Sequence, residues 1–237
     1  MLNNKRFLRV IQLSVLTFFA ALITHTEVSA QFSLGVDYNS RYVWRGFDFG
    51  NSPSIQPELT FTAGGFEIGA WAAYATNGNP AGTEIDWFAS YTFETSAGDF
   101  SLFVTDYTFP DDPVDYFSGD AHFVEIGASW ASEFSGGVGY YLSGGVFVHN
   151  DDDNSVYGEV GLEFEVEDVA LTLFGGFSPI ESAAYGNSTF SFINTGISAS
   201  KEVKITDFFS FDVSTSLIAN PHAETMFFVF GISYALN

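Results

Sequence analysis

The sequence predicts an all-β protein: a transmembrane, up-and-down antiparallel β-barrel of about twelve strands that follows a cleaved signal peptide. Apolar and polar residues alternate with a period of two along most of the chain after residue 30. Short joins and longer polar joins separate the alternating segments in turn, as in barrels with short periplasmic turns and longer outer loops. After residue 30, the chain has no apolar run of the ~20 residues that a membrane-spanning helix needs.

The amino terminus resembles a secretory signal peptide. Several bases precede a mostly apolar segment, residues 10–23, and small residues lead up to a cleavage point after Ala30. The apolar segment is too short to serve as an uncleaved membrane anchor, which needs ~20 residues. We therefore expect two parts, a signal peptide over 1–30 and an outer-membrane β-barrel domain over 31–237.

The alternation divides the remaining chain into strand-length segments. In 156–166, for example, Val160 and Leu162 lie on one face of the predicted strand and Glu159 and Glu163 on the other. Segments of this kind are long enough to cross a bilayer when tilted. We expect strands near 32–46, 54–63, 66–76, 83–94, 99–109, 121–131, 137–148, 156–166, 168–177, 188–199, 207–218 and 225–236.

The joins support closure into a barrel. The joins at Gly64-Gly65 and at residues 96–98 are tight, whereas those at 77–82 and 149–155 are longer and polar. The join at 201–206 is longer than the alternation of short and long joins predicts. An unpaired backbone group in hydrocarbon costs several kcal/mol, so a sheet there must have no edges. The alternative is a secreted soluble β protein, such as a lipocalin-like barrel. It is disfavoured because the polar faces carry almost no Lys and the aromatic bands would be exposed.

Composition excludes several classes of protein. The chain has 7 Lys and Arg against 29 Asp and Glu, so it lacks the basic surface that nucleic-acid binding needs. It has no Cys, which excludes disulfides, thiol catalysis and Cys lipidation. No Gly-x-Ser-x-Gly motif is present, and Asp151, Asp153 and Ser155 lack the Gly and closing Glu of a calcium loop. We expect no catalytic residues, no metal site and no cofactor.

The first segment is the most distinctive stretch of the chain. If it continues as one strand, Tyr38, Tyr42 and Trp44 face outward and fit an aromatic girdle at the membrane interface. Arg41 and Arg45 would then face the lumen, either paired structurally with carboxylates or forming a transverse field that selects the permeant solute. The predicted lumen and selectivity residues are Asp37, Arg41, Arg45, Glu58, Glu67, Glu84, Asp86, Glu125, Glu159, Glu163 and Glu165.

This stretch also carries a resemblance to a known family. The run Ser40-Arg41-Tyr42-Val43-Trp44-Arg45-Gly46, followed by Gly69-Ala70-Trp71, resembles the TorF-type porin family, conserved bacterial proteins of about this length. The resemblance implies an outer-membrane β-barrel whose substrate is unsettled. It supplies no catalytic residues.

We expect a passive channel for small hydrophilic solutes, with an acidic lumen biased toward cations or neutral solutes. Its other partners would be outer-membrane lipid and lipopolysaccharide. We also expect the outer-membrane assembly machinery as a partner, because the apolar segment 225–236 resembles its recognition signal. One alternative is a non-conducting structural or surface-binding barrel, and a weaker one is a lipid-modifying enzyme. Inward aromatics would plug the non-conducting barrel: Phe88, Tyr141, Phe147, Tyr157 and Phe174.

Overall fold

The computed structural model describes residues 30–110 and 115–236. The predicted signal peptide lies almost entirely outside them. No helix in these ranges is long and apolar enough to cross a membrane. The strands are β1 Ala30–Asn39, β2 Tyr42–Trp44, β3 Phe47–Phe49, β4 Ser54–Ala63, β5 Phe66–Ala75, β6 Thr83–Thr95, β7 Gly98–Thr108, β8 His122–Phe134, β9 Val138–His149, β10 Val156–Val166, β11 Val169–Ser178, β12 Ser191–Thr206, β13 Phe209–Asn220 and β14 Thr225–Leu236.

Twelve strands of the described residues form a closed antiparallel barrel, in the order β1-β14-β13-β12-β11-β10-β9-β8-β7-β6-β5-β4. Closure joins the two ends of the chain, because Leu34 on β1 pairs with Leu236 on β14 and Asn39 pairs with Gly231. Every strand of the barrel therefore has a hydrogen-bonded neighbour on both sides, which is the condition for a sheet in hydrocarbon. The predicted fold class is confirmed.

The outer surface of the barrel is apolar. Leu59, Trp87 and Leu217, from strands around the circumference, each expose more than two-fifths of their surface. Outward and inward side chains alternate along each strand, as with Glu58 and Thr60 on either side of Leu59, because a strand has a two-residue period. Such a band of exposed apolar side chains suits a hydrocarbon environment and would be costly in water.

Two of the predicted strands differ from the observed ones by more than three residues at an end. Segment 32–46 is wrong as a single strand, because β1 ends at Asn39 and the chain leaves the barrel wall at Ser40 and Arg41. Segment 188–199 ends too early, because β12 continues through the mostly polar residues 200–206, which pair with β13 up to a tight turn at 207–208. That extension removes the long tenth join from the inner, short-turn side.

Candidate functional site in the barrel lumen

Strands β2 and β3 form a hairpin separate from the barrel sheet. Trp44 pairs with Phe47, so Arg45 and Gly46 make a two-residue turn, and both have positive φ values of 49° and 83°. This is the geometry of the hairpin turn that favours Gly at its second position. A Cβ on residue 46 would overlap the Ile193 carbonyl oxygen, so only Gly fits here.

The hairpin, residues 42–49, lies inside the barrel at the end that carries the long loops. Trp44 and Phe47 pack against a buried cluster that includes Tyr107, Phe147 and Ile193. The Asn220 amide on β13 donates to the Gly46 carbonyl at 3.4 Å. These partners come from opposite parts of the wall, so the hairpin crosses the lumen and narrows its outer half.

Arg45, at the tip of the hairpin, holds it in place. Its Nη2 donates to both carboxylate oxygens of Glu125 at 2.9 Å, and its Nη1 donates to the Tyr185 hydroxyl at 2.5 Å. The guanidinium also lies over the rings of Trp44 and Tyr157, 4.4 and 4.2 Å from their centroids. Glu125 is fully buried, so Arg45 supplies the positive charge that this carboxylate requires.

A hydrogen-bond network extends from this pair along the wall. Tyr107 donates to Glu125 at 2.7 Å. Tyr141 and Tyr157 both donate to Glu159, and the Asn194 amide donates to Glu159 at 2.9 Å. Glu159 therefore accepts three hydrogen bonds from neutral side chains. Polar contacts of this kind fix aromatic side chains in the lumen in single positions.

Tyr185 reaches the network from the loop between β11 and β12 and is almost fully buried. Burial raises the pKa of Tyr185 to about 12, even though the neighbouring Arg45 charge acts in the opposite direction. The phenol is therefore neutral at physiological pH and accepts the hydrogen bond from Arg45. The loop and the hairpin tip are joined through this contact.

A second group of carboxylates lies beside the base of the hairpin. Tyr42 donates to Glu84 at 2.8 Å, and Asp86, two residues further along the same strand, shares its face. Both carboxylates are buried, and Asp86 Oδ1 has no hydrogen-bond partner among the described residues. Arg41, the nearest base in sequence to Tyr42, instead pairs with Asp48 and donates to Asn51 at 2.7 Å.

The inner half of the lumen is different. The exposed Glu58 lies close enough to Glu67 and Asp37 for their negative charges to act on it. Glu163 and Glu165 on β10 are also exposed. Gly, Ser and Thr recur on the inward faces of the strands that carry these acids. The rings of Phe88 and Phe174, two of the predicted plugs, lie over Gly69 and Gly196 on the same inner surface. The predicted lumen acids therefore fall into a buried outer group and a solvated inner group.

The girdle prediction puts three aromatic residues on the outer face of the barrel, and of these Tyr38 faces outward and is 43% exposed. It is wrong for Tyr42 and Trp44. Tyr42 is buried against Trp71 and Glu84, and Trp44 packs on Tyr107 inside the barrel. The prediction fails because the alternation continues in sequence through Ser40, where the chain itself turns inward. The Arg45-Gly46 pair is the available sign of a hairpin turn.

Sequence reasoning does not find the contribution of Tyr185. This residue lies in a polar loop, and nothing in the local pattern distinguishes it from the solvated loop residues around it. Of the aromatics predicted to plug a closed lumen, Phe147 and Tyr157 belong to the buried cluster around the hairpin. Tyr141 joins the same region through its hydrogen bond to Glu159.

The described histidines make structural contacts. His122 Nδ1 lies 2.8 Å from an Asp106 oxygen and its Nε2 lies 2.9 Å from the Tyr116 carbonyl, so both nitrogens face acceptors. An imidazole held in this way has no free lone pair for general-base chemistry. His149 and His222 contact the backbone carbonyls of outer loops. The described residues contain no group of three or more His, Cys, Asp or Glu arranged to hold a metal.

Sequence comparison then places the chain in a family. A family model of bacterial proteins of unknown function, Gcw_chp, matches residues 24–219. The chain belongs to the Gcw_chp family. No curated protein that was compared with it matches.

Among solved structures, this Gcw_chp barrel is similar to the KdgM porin. The similarity has a TM-score of 0.57 at 7% sequence identity and covers 86% of this chain and 99% of the KdgM chain. A second similar structure is the KdgM porin in complex with disordered oligogalacturonate, with a TM-score of 0.57 at 8% identity and the same coverage. At these identities the comparison establishes a shared barrel fold.

Proposed function

We propose that this Gcw_chp protein is an outer-membrane channel for passive diffusion of small hydrophilic solutes, biased toward cations and neutral solutes. The observation that carries the proposal is the closed barrel itself, with an apolar exterior and an interior lined by solvated carboxylates. An apolar belt around a polar, water-accessible lumen is the arrangement of a diffusion channel.

The charge of the lumen supports the cation bias. Asp37, Glu58, Glu67, Glu163 and Glu165 lie on the wall of the inner half. Arg45, the base held within the lumen, is already paired with Glu125. Unpaired carboxylates in a pore surrounded by low-dielectric material raise the local concentration of cations and repel anions.

An acidic lumen would also make the solutes of this protein different from the oligogalacturonate of the KdgM complex. Oligogalacturonate is a polyanion, because each of its sugar units carries a carboxylate. A lumen lined by acids would repel it, although the two barrels share a fold. We therefore propose the shared architecture and a different class of permeant solute.

The proposed location is the bacterial outer membrane, reached through secretion directed by the signal peptide. Outer-membrane lipid and lipopolysaccharide would surround the apolar band. The assembly machinery would read the terminal strand β14, whose Phe228 and Phe230 face outward. The TorF-type resemblance at residues 40–46 supports the same location.

Within this channel, residues 42–49 form the constriction. Their network with Glu125, Glu159 and Tyr185 narrows the outer half, so a solute must pass beside the hairpin or displace it. The sequence left two roles open for Arg45, structural pairing with a carboxylate or a field that selects the solute. We assign it the structural role, because Glu125 neutralises its charge. The inner carboxylates are the proposed selectivity residues.

The test is the single-channel conductance of the refolded mature protein in a planar bilayer under a salt gradient. The proposal expects discrete steps and a reversal potential that favours cations. Discrete steps that favour anions would refute the proposed cation bias, but the proposal of a channel would stand. A folded, heat-modifiable barrel that gives no steps under any voltage would refute the channel.

The hairpin favours one second candidate, a non-conducting barrel with a structural or surface-binding role. Its buried contacts fill the outer half from several sides of the wall. Variants without the hairpin contacts distinguish the two candidates. Under this second candidate the wild-type protein is silent and the loosened variant conducts.

A further inference from the structure

An aromatic cavity lies at the outer mouth of the barrel, above the hairpin. It has a volume of about 450 Å³, within the size range of small-molecule sites. Six aromatic side chains line it, together with the buried Glu84 and the acidic loop tip at 151–152. We name this cavity the outer vestibule. The aromatic lining residues are Trp44, Phe49, Tyr107, Phe109, Phe123 and Phe147.

The acidic groups of the outer vestibule have no cationic partner among the described residues. Each described Arg and Lys is already paired elsewhere with a carboxylate: Arg41 with Asp48, Arg45 with Glu125, Lys201 with Asp168 and Lys204 with Asp207. Glu84 is 4% exposed and accepts a hydrogen bond from the Tyr42 hydroxyl. Its neighbour Asp86 is 8% exposed, with one carboxylate oxygen unpartnered.

Two adjacent buried carboxyl groups without a counter-charge are costly when both are ionised. A shared proton relieves that cost, and a bound cation would relieve it in the proton's place. The faces of aromatic rings also attract cations, and aromatic cages are a known way to hold quaternary ammonium groups. The protein already uses this interaction within the lumen, where the Arg45 guanidinium lies over two rings. The carboxyl groups and the aromatic rings of the outer vestibule therefore both favour a ligand that carries a positive charge on an apolar group.

A neutral sugar fits the lining less well. Sugars need several hydrogen-bonding groups in the plane of the ring, and the polar groups here are largely committed. The Tyr107 hydroxyl donates to Glu125 and the Asn150 amide donates to the Asp120 carbonyl. What the outer vestibule leaves available is ring surface and the acidic loop tip at 151–152.

We infer that the outer vestibule binds small organic cations, of the quaternary ammonium or alkylammonium class, as they enter the barrel. The inference names a solute class for the proposed channel and to that extent rests on it. Binding can nevertheless be measured in detergent, where conduction plays no part.

The experiment titrates the refolded mature protein with choline and follows binding by calorimetry and by the fluorescence change expected from Trp44. The matched probe is 3,3-dimethylbutan-1-ol, which has the shape of choline without the charge. We expect choline to bind at least about tenfold more tightly than the neutral isostere, as a desolvated cation–π site predicts. Equal binding of the two probes, tighter binding of glucose, or no binding of choline would each overturn the inference.

Variants locate the site. Glu84→Gln should weaken choline binding by about tenfold, because it removes the coulombic attraction between this carboxylate and the trimethylammonium charge. Glu181→Gln is the matched control, because Glu181 is an exposed acid in an outer loop and does not line the cavity. It should bind as the wild type does. If Glu84→Gln does not fold, Phe109→Leu, which removes a ring at the mouth, should also weaken binding; unchanged affinity in a folded variant of either kind would overturn the location.

The binding and conductance results separate the two proposals. Choline binding by a barrel that never conducts would refute the channel and keep the cation site. Conductance without choline binding would keep the channel and refute the site.

Discussion

The outer and inner halves of the lumen use the same wall chemistry in different ways. In the outer half, Glu125 is fully buried and holds Arg45 through two hydrogen bonds. In the inner half, Glu163 and Glu165 are exposed and lie on the wall of the same barrel. The difference comes from the hairpin 42–49, which excludes water from one half only. A carboxylate on a barrel wall is therefore structural or selective according to what lies opposite it.

Arg45→Ala should have the largest effect, because it leaves Glu125 buried without its counter-charge. Breaking a buried ion pair by removing one partner costs about 3–5 kcal/mol. We expect the free energy of unfolding to fall by that amount in urea titrations and the conductance to rise as the hairpin loosens. The control is Arg41→Ala, whose side chain is 37% exposed and should cost about 0–1 kcal/mol. Equal effects of the two variants would contradict the assignment of the hairpin's anchorage to the buried Arg45–Glu125 pair.

Gly46→Ala should follow in size. The added Cβ would overlap the Ile193 carbonyl, and the positive φ at residue 46 disfavours any other residue. Overpacking of this kind costs about 1–3 kcal/mol. The expected outcome is a folded barrel with a displaced hairpin, seen as faster proteolysis within residues 42–49. Gly78→Ala is a matched control, since Gly78 also has positive φ but a Cβ added there would meet no atom within 4 Å. A proteolysis rate as slow as that of the wild type would argue against the close packing of the turn.

Tyr185→Phe removes the hydroxyl that accepts a hydrogen bond from Arg45 and keeps the ring. A hydrogen bond to a charged group contributes about 1.5–3 kcal/mol, so a loss near the lower end of that range is expected while Glu125 still holds the guanidinium. The unfolding midpoint in urea measures it. Because folding raises the pKa of Tyr185, this phenol's contribution is fully present below its unfolded pKa and is lost as pH rises toward about 12. The Phe variant should lack that portion of the alkaline decline.

Glu163→Gln combined with Glu165→Gln tests the inner half. These exposed acids contribute little to folding, so the free energy of unfolding should stay within about 0.5 kcal/mol of the wild type. The ratio of cation to anion permeability should fall severalfold, since each of the two charges contributes on the order of 0.5 kcal/mol at about 8 Å from an ion in water, before screening by salt. Reversal potentials under a salt gradient measure it. A large loss of stability with unchanged selectivity would reverse the roles assigned to the two halves.

Lys201→Ala should have the smallest effect. Its partner Asp168 is fully exposed at an inner turn, and the hydrogen bond from Lys201 lowers the pKa of that carboxyl. A lowered pKa means that the pair contributes at neutral pH and is lost as pH falls through the folded value. Solvent screening makes that contribution negligible, so neither stability nor conductance should change measurably. A clear loss in either would show that the inner turns matter more than their exposure indicates.

The sequence predicted most of the wall because strand periodicity is local. Val160 and Glu159 occupy opposite faces of β10 whatever lies elsewhere in the fold. The same logic failed at Tyr42 and Trp44, since a hairpin strand inside the lumen and a wall strand have the same two-residue period. Whether the segment becomes a wall strand or a hairpin strand depends on whether the lumen has room for a hairpin. Tyr185 had no local signal at all, because a loop residue is placed by the contacts that it finds.

The amino-acid sequence by itself determined the all-β class, the number of barrel strands, the acidic charge and the residue types on each face of most strands. These follow from alternation, turn residues and composition, which act over a few residues at a time. Only the tertiary structure decided that residues 42–49 fold into the lumen, that Arg45 pairs with Glu125, and that six aromatic rings and the buried Glu84 line one cavity. Those contacts join residues that are distant in the chain, and closure of the barrel is what brings them together.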